Sequence, residues 1–231
     1  MNLFLKALVF AVAVTLGMNA LDMTYHVATN TAVHLNYVAV KFMIVFAAVF
    51  LVAWLVGYGR TQGIVTSLLG PVAFYLYYRF ASATIDHSLF RIDDAVWYIV
   101  IHAVALGLMY FLGSRVMKKG DSLSFAAFCG LASLALHWGW IMFVIKWTGG
   151  TDEATMLAMT LSAAIVAFAF LFVLIYAMSW TNVWLGSFVV GIVFAAASML
   201  LGATPIGGVA RVLVSAGPFW FVNKFLRAHH A

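Results

Sequence analysis

Runs of about 20 apolar residues recur along almost the whole chain, and no other feature limits its fold as strongly. A helix of that length crosses the roughly 30 Å hydrocarbon core of a bilayer. Backbone N–H and C=O groups find no water there, so each run must satisfy them internally, as a helix. Composition agrees: of 231 residues, 66% are hydrophobic and 8% charged, and no polar stretch is long enough for a soluble domain. The expectation is an all-α, polytopic helical membrane protein, with one transmembrane helix-bundle domain over residues 1–231.

Eight spans are expected, at residues 3–21, 38–56, 63–80, 95–112, 124–145, 154–178, 183–201 and 206–226. The eighth carries Arg211, Pro218 and Lys224, so a re-entrant or interfacial segment after seven spans is the alternative. Thr204 and Pro205 supply an N-cap and a first helical residue for it. Lys6 and the apolar stretch after it have the profile of a signal peptide. Counted from Leu3, however, that run is long enough to span, and it is read as an uncleaved first helix.

With eight spans both termini share one side. That side collects Lys6, Arg60, Arg115, Lys118, Lys119, Lys224 and Arg227, against Lys41, Arg79, Arg91 and Lys146 opposite. The positive-inside rule then puts both termini in the cytoplasm. The basic residues are scattered singly at segment ends, so the net charge of +5 reads as topology and no nucleic-acid partner is expected. Tyr75, Tyr77, Trp97, Trp147, Trp54 and Trp184 fall near span ends, where aromatic rings anchor at headgroup depth. Ser187, Gly191 and Ala195 recur every four residues, a small-residue stripe that serves either intrachain packing or homo-oligomerisation. Cys129 is a lone cysteine inside an apolar run, so no internal disulfide forms and a buried thiol is expected.

Three groups of polar residues stand out because lipid tolerates them poorly. His102 and His137 fall at similar depth in consecutive spans, which makes them candidates to meet. Such a pair can relay protons, ligate a haem axially, or serve as a structural hydrogen bond. Arg211, inside the eighth span, needs a partner, and Asp22 is the candidate on the same membrane face. Asp22 and His26 are four apart and share a helix face if the first helix continues that far. With His34, Asp86 and His87 they form a candidate metal site on the exoplasmic side, though no complete metal motif is present. No serine-protease, rhomboid-like or retinal-binding pattern is found.

The leading functional expectation is a membrane protein that binds or moves a small solute, ion or lipid through a helix-bundle cavity, using His102, His137, Asp22 and Arg211. The alternatives are a metal- or haem-dependent redox enzyme and a structural or assembly subunit. No cofactor is required by the residues themselves.

Overall fold

The computed structural model describes residues 2–28, 35–80, 92–148 and 205–228, with 188–189, 191–192, 195–196 and 199–200. Six long helices are found among the described residues: α1 Leu3–Ala28, α2 Leu35–Leu55, α3 Arg60–Phe80, α4 Ile92–Lys119, α5 Ser122–Thr148 and α6 Pro205–Phe225. The described pairs within 188–200 are helical as well. Five of the six, all but α3, are long and apolar enough to cross a membrane. α3 opens on Arg60, Thr61 and Gln62 and carries Thr66, Ser67 and three tyrosines, which dilute its apolar content.

The eight-span expectation is therefore met only in part. Residues 154–178 lie outside the described residues, and 183–201 are described only in pieces. The C-terminal segment is one continuous helix that begins on Pro205 and runs through Pro218, not a broken re-entrant loop. α1 and α4 are longer than expected, so Asp22 and His26 both lie on α1.

The chain divides into two compact units, Met1–Ser114 and Arg115–Ala231. In the first, α1 packs on α2 and α2 on α3. Each helix buries one face at helical spacing. On α2 that face is Lys41, Val45, Val49 and Ala53; on α4 it is His102, Leu106 and Met109. Gly17 of α1 is the seat of the Met109 side chain, and a methyl group there would collide with it. The α2–α3 turn is held from α4: the Tyr110 hydroxyl donates to the Gly57 carbonyl at 2.8 Å, and Ser114 Oγ to that of Tyr58 at 3.0 Å. Gly57 takes φ +102°, a conformation that favours glycine. Met43, Leu55, Val104 and other large apolar side chains face outward from this unit. Water would oppose such a surface, whereas lipid solvates it.

In the second unit α5 packs on α6. Gly191 lies against the Val212 backbone, where an added Cβ would be 3.0 Å from the Val212 Cα. Ala195 and Met199 lie beside Gly208. Two members of the small-residue stripe thus pack within the chain, against α6. The turn from α4 to α5 is Gly120–Asp121. Gly120 sits at φ +61°, with the carbonyl oxygen of Ala228 where a side chain would begin. Asp121 caps α5 by accepting from the Ser124 amide at 3.2 Å and its hydroxyl at 2.6 Å. These bonds, with Arg115 beside them, hold the Asp121 carboxyl below its usual range. Arg227 donates to the Gly120 carbonyl and to Ser122 Oγ, both at 3.3 Å, and lies over the Phe125 ring.

Candidate functional site

Polar residues on α1 fall at 15, 19, 22 and 26, spacings of four, three and four, so Thr15, Asn19, Asp22 and His26 form one stripe. Thr15, Asn19 and Asp22 are buried. Asn19 donates to the Thr15 carbonyl at 2.8 Å, inside its own helix. Asp22 instead reaches outward to two other helices. Its Oδ2 pairs with Lys41 Nζ of α2, and its Oδ1 lies 2.9 Å from His102 Nε2 of α4. His26 Nε2 stands 3.6 Å from the same Oδ1.

All three of these groups sit near one end of their helices. Asp22 is four residues before the end of the apolar span Leu3–His26, and Lys41 and His102 are three residues after the starts of Val38–Leu55 and Ile99–Lys119. They therefore form one layer, roughly 5–6 Å inside the span ends at 1.5 Å rise per residue. The Lys41 side chain is 0% exposed, Asp22 1% and His102 2%, while His26 is 16% exposed. His26 is thus the member that meets the surroundings.

The geometry fixes how protons are arranged. An ionised carboxylate only accepts, so a neutral His102 donates its Nε2–H to Asp22 Oδ1. Lys41 Nζ, 3.4 Å from that nitrogen, then faces an N–H and has no bond to it. If His102 first gains a proton at Nδ1, its Nε2 proton can pass to Asp22, and the freed nitrogen becomes an acceptor to which Lys41 can turn. One added proton and one shift of under 3 Å thus exchange the partner of a buried cation.

Asp22 and His102 take partners that the sequence left unassigned. Asp22 pairs with Lys41, and Arg211 belongs to the other unit. His102 and His137 also belong to different units. His102 bonds to Asp22, and both ring nitrogens of His137 are engaged by Ser133 and Ser215. His34, Asp86 and His87 lie outside the described residues. Among the described residues no group of three or more His, Cys, Asp or Glu is arranged to hold a metal ion. In the Asp22 cluster the Lys41 ammonium occupies the carboxylate.

Lys41 is the residue that sequence reasoning missed, having been assigned to the aqueous side. Its register with Val45, Val49 and Ala53 was the available signal, because that spacing puts it on the buried face. Cys129 is a buried free thiol, as expected, with Sγ 3.8 Å from the Pro218 carbonyl oxygen. Comparison with protein-family models, with curated proteins and with solved structures finds no match for this chain.

Proposed function

We propose that the chain is a multi-pass membrane protein that binds or moves a small solute or ion through its helix bundle, with Asp22, Lys41 and His102 as a proton-sensitive element. The observation that supports this reading is the convergence of three ionisable side chains, from three helices, in one layer with almost no exposure. Ionisable groups among apolar helices are costly and mark ion and proton pathways more often than they mark stability. The cluster has no net charge when Asp22 is ionised, Lys41 protonated and both imidazoles neutral. One added proton leaves one uncompensated positive charge in a low-dielectric interior. That charge is relieved by returning the proton or by admitting an anion, so proton and anion occupancy are linked. His26 offers the entry, since it is partly exposed and borders Asp22 Oδ1. By the positive-inside rule both termini face the cytoplasm and this cluster faces the exoplasmic side.

The test uses purified protein in vesicles that enclose a pH-sensitive dye. An imposed inward-negative potential should drive proton entry, enhanced by a permeating small anion at low pH, and His102→Gln should abolish it. Proton entry equal to that of protein-free vesicles, with no anion-dependent thermal stabilisation at pH 5, would remove the proposal. A second reading, a register lock between α1 and α2, is favoured by the place of Lys41 on the buried face with Val45, Val49 and Ala53. It predicts a stability loss in the variants and no flux in the parent.

A further inference from the structure

The unit Arg115–Ala231 holds a second buried polar group, built where α5 and α6 pack together. His137 Nδ1 lies 2.9 Å from the Ser133 carbonyl oxygen, one turn earlier in α5. A carbonyl only accepts, so Nδ1 carries the proton and Nε2 presents its lone pair. Nε2 is 3.2 Å from Ser215 Oγ of α6, and the hydroxyl therefore donates to the imidazole. Ser133 Oγ in turn donates to the Ser215 carbonyl at 3.2 Å, which holds the α6 backbone at this level. Ser133, His137 and Ser215 are all buried.

The three partners fill three distinct roles. Ser215 is a hydroxyl aimed at a base, His137 is that base, and the Ser133 carbonyl fixes the tautomer that makes it one. That is the arrangement by which a weak hydroxyl is activated as a nucleophile. Arg211 stands four residues before Ser215 and so shares its face of α6. A guanidinium there can stabilise negative charge that develops on a reacting oxygen. Gly139 and Gly217 lie two residues beyond His137 and Ser215. Among the described residues, nothing comes within 4 Å of the point where a side chain would begin at either.

We propose that Ser215 is an acyl-accepting nucleophile with His137 as its general base, and that the substrate is an acyl ester of lipid character. The substrate class follows from the surroundings. Both residues lie within apolar spans, Ser122–Trp140 and Pro205–Phe225, which a water-soluble ester would enter only by losing its hydration. In the first step Ser215 Oγ bonds to the ester carbonyl carbon while its proton passes to His137 Nε2. The carbon–oxygen bond to the alcohol then breaks, and the leaving oxygen takes that proton. A water molecule next attacks the acyl-serine, giving its proton to His137, and the proton returns to Ser215 Oγ as the free carboxylic acid leaves.

Buried serine–histidine bonds also hold helices together without chemistry, and a fluorophosphonate reporter separates the two uses. The intact protein in lipid-containing micelles should gain the phosphonyl mass on Ser215, read by peptide mass spectrometry. Labelling should fall about 100-fold in His137→Gln, the scale of general-base assistance, and vanish after heat denaturation. The labelling of the parent protein needs no variant, so a substitution that prevents folding leaves the test intact. Absence of the mass gain on Ser215 in the intact protein would overturn the proposal. Equal labelling of the intact and heat-denatured protein would overturn it as well.

Discussion

Asp22→Asn changes the cluster by one charge and almost no volume, and it leaves Lys41 cationic at a fully buried position. Removing one partner of a buried ion pair costs about 3–5 kcal/mol. An upper bound follows from Lys41 itself, because a stranded ammonium can give up its proton. From a reference pKa near 10.4, and 1.36 kcal/mol per unit, that escape costs about 4.6 kcal/mol at pH 7 and about 1.9 at pH 9. The penalty of Asp22→Asn should therefore shrink as pH rises. Lys41→Met is the mirror case. The stranded carboxylate can take up a proton, at about 4.2 kcal/mol at pH 7 and about 1.5 at pH 5 from a reference near 3.9. Its penalty should shrink as pH falls. The double variant keeps neither charge, so it should lose less than either single variant at pH 7, with a strong positive coupling in the cycle. Reversible unfolding in mixed micelles at pH 5, 7 and 9, followed by helical circular dichroism, reads all of these. Additive penalties with the same pH slope in both single variants would show that the two charges are not buried against each other.

Gly120→Ala places a methyl group at φ +61° against the Ala228 carbonyl, and should destabilise by about 1–2 kcal/mol or more, seen as a lower melting temperature. Asp121→Ala removes the α5 cap and should cost about 1 kcal/mol at pH 7. The Asp121 carboxyl is held below the ordinary carboxylate range, so its contribution is full above that range and fades as pH falls through the lower folded value. Melting curves of parent and variant should accordingly converge in acid. Reporter fusions at Ala231 and within 149–152 should report opposite sides of the membrane; a shared side would remove the proposed topology.

The helices were legible because lipid-facing and core-facing residues are both apolar, so a spanning run is continuous in sequence. Helix lengths were less so. His26, at the edge of an apolar run, reads as the start of a loop, yet α1 carries it through to Ala28. Spacing linked Asp22 with His26, since four residues make one turn. Nothing local linked Asp22 with Lys41 or His102, which come from other helices at sequence separations that no periodicity encodes. Arg211 was the more conspicuous cation because it lies deeper in its run than Lys41 does in its own. Depth drew attention to Arg211, whereas it is the register of Lys41 on α2 that brings this lysine to Asp22. Ser215 was invisible as a candidate. Serines are ordinary in such helices, and only the position of His137 across the contact sets this one apart.

A ribosome completes Gly120 long before Arg227, 107 residues further along. The turn therefore has an early half and a late half. The early half is local: the Gly120 amide donates to the Val116 carbonyl at 3.1 Å, and Asp121 caps α5. It can form as soon as the first turns of α5 are made, since such contacts close almost no loop. The late half is the Ala228 amide on that same Val116 carbonyl at 3.2 Å, with Arg227 on the Gly120 carbonyl. It must wait until α6 has been translated and folded back. A chain truncated before residue 227 would show a capped but unfastened hairpin, and a chain that includes Arg227 and Ala228 would fasten it. The turn thus records whether the chain extends past α6, and a protease probing the 120–121 bond of released chains of graded length would read that record.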